Sequence, residues 1–322
     1  MKRPFIILTV LILSLTAVFA VACQPQKIPM PIVVTFVQDG CENVVLTYNV
    51  GEDFVLPTPI QSSDNSIVTE WNVKDNFLPE ESQIVTAVQY TKGLEFVAVV
   101  YNGDYCIKID KYNGEFPVVI IPQYYKGYPV KILGERAFED KNWVTKVVLP
   151  EGLEKVEYHP FLRCDNIVDV NIPSTLKDLK EYAFCDAHNY FDVVVPGGID
   201  TLLDHAFFGY RGKFVKFGHG VSVIREYVFG GKNNLETVVL PTTVSEISGR
   251  AFFNQPLKSI FYEGNEEDFL FVAICDDKHG TVENLEERIS SGKTTVYFYS
   301  ENKPEGQGDF WHYKNGIPTI WD

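Results

Sequence analysis

The chain has 322 residues, with 28 Lys and Arg against 43 Asp and Glu, and a net charge of −15 at neutral pH. At 45% hydrophobic and 22% charged residues it can bury a core, which excludes wholesale disorder. The acidic balance argues against a nucleic-acid partner, whose phosphates need a basic stripe, and disfavours adsorption to an anionic membrane face.

Lys2 and Arg3 precede an uncharged apolar run from Phe5 to Ala22. A basic start, an apolar core and small residues at the end predict a secretory signal peptide over residues 1–22. The run also sits at the lower limit of a membrane span, so a retained helix is the rival reading. Ala20-Val21-Ala22-Cys23 resembles the lipobox of bacterial lipoproteins, with Ala20 where Leu is usual. That resemblance implies acylation of Cys23, cleavage just before it, and a lipid anchor on the outer side of the cell membrane. Residues 23–32 would be a polar, Pro-containing spacer. The remaining cysteines, Cys41, Cys106, Cys164, Cys185 and Cys275, lack the tight spacing of a disulfide framework and read as packed thiols.

Alternation of apolar and polar residues predicts strands near 33–37, 44–48 and 67–73, hence a small β-rich module over 33–80. Val34-Thr35-Phe36, Asp39-Gly40, Val50-Gly51, Leu56-Pro57-Thr58-Pro59 and Trp71 resemble the internalin-type B-repeat, a β-grasp-like module. Cys41 and Glu70 depart from that pattern, each standing where Gly is usual.

A repeat dominates the rest. A β-branched run closes on Pro at Val119-Ile120-Ile121-Pro122, Val147-Val148-Leu149-Pro150, Val170-Asn171-Ile172-Pro173, Val193-Val194-Val195-Pro196 and Val238-Val239-Leu240-Pro241, with Val215-Lys216-Phe217-Gly218 keeping the beat. A small-Phe marker follows each, ending at Phe138, Phe161, Phe184, Phe207, Phe229 and Phe252, in steps of 23, 23, 23, 22 and 23. Pro cannot donate to the next rung, so each run is a short strand that stops there. Apolar pairs three apart follow (Leu153/Val156, Leu176/Leu179, Ile199/Leu202, Val221/Ile224, Val244/Ile247), and the small-Phe pair is expected on a short helical turn. One unit cannot bury its apolar side alone, so stacked units make a solenoid. The predicted fold is mainly β with short helical turns: a solenoid of 23-residue coils preceded by the small β-rich module.

The Val-x-Ile/Leu-Pro…Ala-Phe pattern resembles the BspA-type leucine-rich repeats of bacterial surface proteins. The likeness extends upstream through Leu94-Glu95-Phe96, Tyr112-Asn113-Gly114 and Tyr125-Lys126-Gly127-Tyr128-Pro129-Val130. Downstream it runs through Thr295–Glu301, Phe310-Trp311-His312-Tyr313 and Ile317–Trp321. It implies a capped solenoid over 94–294, a closing segment over 295–322, and a surface-exposed binding or adhesion protein with no assigned catalysis.

Candidate chemistry is sparse. His159 and His205 share a repeat column with Arg136, Tyr182, Tyr227 and Arg250. Coils about 4.8 Å apart hold residues two repeats apart at roughly 10 Å, too far to share a metal, so the column is expected to bond exposed loop backbone. Cys164, Cys185 and His188 come from adjacent coils but lack a fourth zinc ligand; a Cys164–Cys185 bridge is the alternative to ordinary thiols. Asp276-Asp277 and Glu266-Glu267-Asp268 lack the alternating spacing of a calcium loop. Ser62-Ser63 and Ser290-Ser291 have no nucleophile elbow, and nothing resembles a phosphate loop. No metal, cofactor or catalytic residue is expected.

Side chains alternate along a strand, so residues one and three before each Pro point inward while residues two and four before it point out. The outward columns are Val118/Ile120, Lys146/Val148, Asp169/Asn171, Asp192/Val194, Phe214/Lys216, Thr237/Val239 and Ser259/Phe261. An apolar ladder exposed this way suggests a contact site, although β-branched residues also simply suit strands. The expected binding residues are Val148, Asp169, Asn171, Asp192, Val194, Phe214, Lys216 and Val239. The function read from the sequence is a surface lipoprotein whose array binds a protein or glycan. A surface enzyme with the repeats as platform, or a passive spacer, are the alternatives.

Overall fold

The computed structural model describes residues 31–39, 41–49, 54–75, 77–185, 187, 192–231, 234–275, 284–306 and 308–321. The leader, Cys23, Gly40, Gly51, His188 and Asp276-Asp277 lie outside the described residues.

Strands β1 (Ile32–Val37), β2 (Val44–Tyr48), β3 (Ile67–Trp71) and β4 (Gln83–Thr91) form one sheet in the order β2-β1-β4-β3. Its core is Ile32, Val34, Phe36, Tyr48, Trp71 and Val85. The Trp71 indole N–H donates to the Pro57 carbonyl at 2.6 Å, which closes the 54–60 segment over the aromatic cluster. The sheet extends past residue 80, where the sequence reading ended the module, because β4 pairs in parallel with β1 and antiparallel with β3.

β5 (Leu94–Tyr101) and β6 (Asp104–Tyr112) form a hairpin across Asn102-Gly103, both at positive φ, the two-residue turn that matches strand twist. The coils follow: β7 (Val118–Ile120), β8 (Tyr124–Tyr125), β9 (Tyr128–Leu133), β10 (Lys146–Val148), β11 (Lys155–Val156), β12 (Asp169–Val170), β13 (Asp178–Leu179), β14 (Val193–Val195), β15 (Thr201–Leu202), β16 (Phe214–Phe217), β17 (Val223–Ile224), β18 (Thr237–Leu240), β19 (Glu246–Ser248) and β20 (Ser259–Tyr262). Beyond them lie α1 (Glu266–Phe269), β21 (Ala273–Cys275), α2 (Leu285–Ser290), β22 (Thr295–Tyr299), β23 (Phe310–Lys314) and β24 (Ile317–Ile320).

Each coil carries two short strands. The strands before Pro stack in parallel as β7-β10-β12 and β14-β16-β18-β20-β22. The apolar pairs three apart form a second parallel ladder, β6-β9-β11-β13 and β15-β17-β19-β21. Between the coils of Val170 and Val193 the turn side is continuous: the Phe184 amide donates to the Ala206 carbonyl at 2.7 Å.

The six Phe markers are all buried and stack with ring centroids 5.6, 6.1, 5.1, 5.0 and 6.2 Å apart. They sit on turns rather than helices. Amides alternate between the turn itself, as Glu139 to the Arg136 carbonyl, and the next coil, as Phe138 to the Pro160 carbonyl at 2.8 Å. That alternation needs a left-handed residue two before the Phe, and Arg136, His159, Tyr182, His205 and Tyr227 all have φ between 48 and 60°. A left-handed residue cannot continue a right-handed helix, so the turn ends after one cycle.

The N-terminal sheet is docked, not tethered. Thr91 Oγ1 accepts from the Ile120 amide at 2.7 Å, Gly127 N–H donates to Asn72 Oδ1 at 2.9 Å, and Lys126 pairs with Asp75 at 2.9 Å. Tyr90 of β4 belongs to the solenoid core.

Candidate binding face

Of the outward columns, the N-terminal coils stay open. Val118 is 43% exposed, Ile120 36% and Val194 59%; Asp192 is exposed beside Val194. Val148 is half-buried. Asp169 pairs with Lys146 at 2.6 Å. Asn171 is committed to the fold: its amide accepts from the Leu149 N–H at 2.7 Å and donates to the Leu149 carbonyl at 2.8 Å. β12 is two residues long, and this side chain replaces the backbone rung that the strand lacks.

Toward the C-terminus the expected open face is covered. Val239 is fully buried and Phe261 nearly so, in a cluster with Trp311, against which Phe214, Tyr297 and Tyr313 pack. Direction along the strand is as alternation requires; solvent is excluded because β23 brings Trp311 over this face. Its indole N–H donates to the Tyr262 carbonyl at 2.9 Å. Val239 is therefore core, and Phe214 and Lys216 are half-buried.

Lys216 belongs to a latch. Its ammonium donates to Tyr313 Oη at 2.6 Å and pairs with Glu263 at 3.2 Å, while Tyr313 donates to Glu263 Oε1 at 2.5 Å. His219 Nε2 lies 3.0 Å from the other Glu263 oxygen. Burial, then the Glu263 carboxylate, holds the Tyr313 phenol above its ordinary pKa, so it stays a donor.

Two further columns run along the array. Lys131, Glu154 and Lys177, 23 residues apart, form a ladder in which Glu154 bonds Lys131 at 2.7 Å and Lys177 at 3.1 Å. The Lys131 bond lowers the Glu154 pKa, and its cation is spoken for. The histidine column does not bond loop backbone; it stacks. His159–Tyr182, Tyr182–His205 and His205–Tyr227 have ring centroids 4.2, 4.6 and 4.9 Å apart, and Arg250 donates to Tyr227 Oη at 3.1 Å. Burial lowers the His205 pKa, with His159 adding to it against Asp204 and Glu181. Cys164 is buried with its sulfur 2.8 Å from the Phe138 carbonyl oxygen. Among the described residues no group of three or more His, Cys, Asp or Glu is placed to hold a metal ion, and no helix is long and apolar enough to cross a membrane.

Residues 121–232 and 161–270 match the family described as BspA type leucine rich repeat region, six copies in all. The repeat array belongs to the BspA-type leucine-rich repeats. Three solved structures are similar to the chain. A leucine-rich repeat protein of T. pallidum is 20% identical with a TM-score of 0.47, covering 59% of this chain and 98% of that one. One from Bacteroides ovatus is 21% identical with a TM-score of 0.40, covering 53% and 48%. A leucine rich cell surface protein of Faecalibacterium prausnitzii is 21% identical with a TM-score of 0.37, covering 61% and 46%. This chain thus spans about half the length of the last two. No curated protein matches the sequence.

Proposed function

We propose that this is a cell-surface lipoprotein, anchored through Cys23, whose BspA-type array binds a protein or glycan without catalysis. The observation that carries the reading is the contrast along one strand face. The C-terminal coils hide Val239 and Phe261 under Trp311, while the N-terminal coils leave Val118, Ile120 and Val194 in water beside Asp192 and the Lys146–Asp169 pair. Exposed apolar side chains set among polar ones are the anatomy of a contact patch. Glycan and protein arrays probed with the wild type and with the Asp192→Lys, Val194→Asp pair test it. A binder weakened at least tenfold in the pair, at unchanged melting temperature, supports the reading, and a binder held equally by both removes this face from it. Metabolic labelling with a fatty-acid analogue tests the anchor: wild type should be marked, Cys23→Ala should not.

A further inference from the structure

Two clefts open where the N-terminal sheet docks on the solenoid, one of about 400 Å³ and one of about 450 Å³. Both fall in the span of small-molecule sites, roughly 300–1,000 Å³, which favour junctions between structural units. They share one wall, a ridge formed by Val73, Lys74, Asp75 and Phe77. The solenoid holds this ridge at three points. Asn72 Oδ1 accepts from the Gly127 N–H at 2.9 Å, Asp75 pairs with Lys126 at 2.9 Å, and the Lys74 ammonium lies 4.9 Å over the Tyr128 ring. Gly127 has a φ of 76°, and a Cβ there would come within 3.2 Å of Lys74 Cγ, so Gly suits a turn this close to the ridge. The walls are thus set before any ligand arrives, which lowers the ordering cost of binding.

The smaller cleft is aromatic. Phe54 and Phe77 are half-buried and meet edge to face at 5.9 Å, and buried Trp71 lines the same cleft with its indole N–H tied to the Pro57 carbonyl. Around these rings stand Lys74 and Lys126 against Glu70 and Asp75, two charges of each sign. An ionic ligand of either sign gains as much repulsion as attraction there, and the net charge of −15 repels anions further. The second cleft adds the uncharged side chains of Gln83 and Thr86. The Asn72 and Val73 amides are spent on the Thr86 and Trp71 carbonyls, both at 2.9 Å, so the ridge offers few backbone donors to an extended peptide. What remains is ring surface set among side-chain donors and acceptors.

We infer that the paired clefts bind a neutral saccharide of two or more pyranose rings. The C–H face of a pyranose is apolar and slightly positive, and it suits the negative face of an aromatic ring. Its hydroxyls each donate and accept, so one can bond a lysine and a carboxylate together. Two clefts of similar size either side of one ridge suit two linked rings. This takes up the glycan branch of the proposed function, but at the junction rather than on the strand face.

Isothermal titration of the full chain, in a detergent without a sugar headgroup, tests it. The probes are cellobiose, maltose, lactose and N,N′-diacetylchitobiose, with sialyllactose and the glucosamine disaccharide as charged comparators. At least one neutral disaccharide should bind, and neither charged one should bind more tightly. Phe77→Leu keeps apolar bulk and removes the ring face, so it should weaken that binder at least tenfold at unchanged melting temperature. Should Phe77→Leu destabilise the fold, Lys74→Ala, at an exposed position, carries the test with a several-fold loss. The Asp192→Lys, Val194→Asp pair should leave this binding unchanged. Failure of every neutral disaccharide, tighter binding of a charged one, or a binder indifferent to both cleft variants overturns the inference. A binder lost only in the Asp192 and Val194 pair also overturns it, and leaves the strand-face reading standing.

Discussion

Phe207→Ala probes the stacked interior most sharply. The ring is 2% exposed and lies between Phe184 at 5.1 Å and Phe229 at 5.0 Å, within 6° and 1° of parallel to them. Removing it forfeits about 1.5–3 kcal/mol of apolar burial. A cavity held open by backbone bonds to both neighbouring coils collapses poorly, and at about 24 cal/mol per Å³ several tens of Å³ add about 1–2 kcal/mol. The expected loss is therefore about 4 kcal/mol, read as a drop in urea midpoint at unchanged slope. Val194→Ala, at a 59% exposed position, should cost less than about 0.5 kcal/mol in the same assay. A Phe207→Ala cost below about 1 kcal/mol would refute the stacked-coil packing.

A Cβ at Gly197 would fall on the His219 carbonyl oxygen of the next coil, so Gly197→Ala should cost about 1–3 kcal/mol, whereas Gly103→Leu, with open space around it and a positive φ, should show strain alone. Val239→Asp should destabilise by more than about 3 kcal/mol because it buries an unpaired charge under Trp311, while Val194→Asp should be near neutral; equal costs would mean that β23 does not cover the face. The His205 pKa is lowered from 6.5 in the folded chain, so as pH falls below about 6.5 the unfolded chain takes the proton first and stability falls. His205→Gln should flatten the melting-temperature profile in that window, and a slope identical to wild type contradicts the assignment.

What the sequence made legible was whatever repeats. Pro after each run, Phe at each marker and the apolar pairs at three-residue spacing specify the coil because each position meets its own kind in the next. The inward set is buried as alternation requires, from Val119 and Val147 to Val238 and Leu240. What was not legible came from outside the repeat. Nothing in the Val238-Val239-Leu240 run announces that Trp311, some 70 residues later, folds over it; the outward rule gives direction, not solvent. Asn171 read as a polar contact and is a backbone substitute, a role visible only once β12 is known to stop at Val170. The Lys131/Glu154/Lys177 column was in plain sight at the same 23-residue step, and so was the stacking of His159, Tyr182, His205 and Tyr227.

On a displayed solenoid whose strand face is open at the N-terminal coils and closed at the C-terminal ones, thiols placed along that face differ in reactivity. Labelling intact cells with a membrane-impermeant maleimide tests display and coverage together, comparing Val194→Cys and Val239→Cys against the background of Cys41, Cys185 and Cys275. Strong added labelling is expected at position 194, and none at 239 until Trp311 is also replaced by Ala. No added labelling at 194 on intact cells would contradict surface display, and equal labelling at both positions would contradict the covered face.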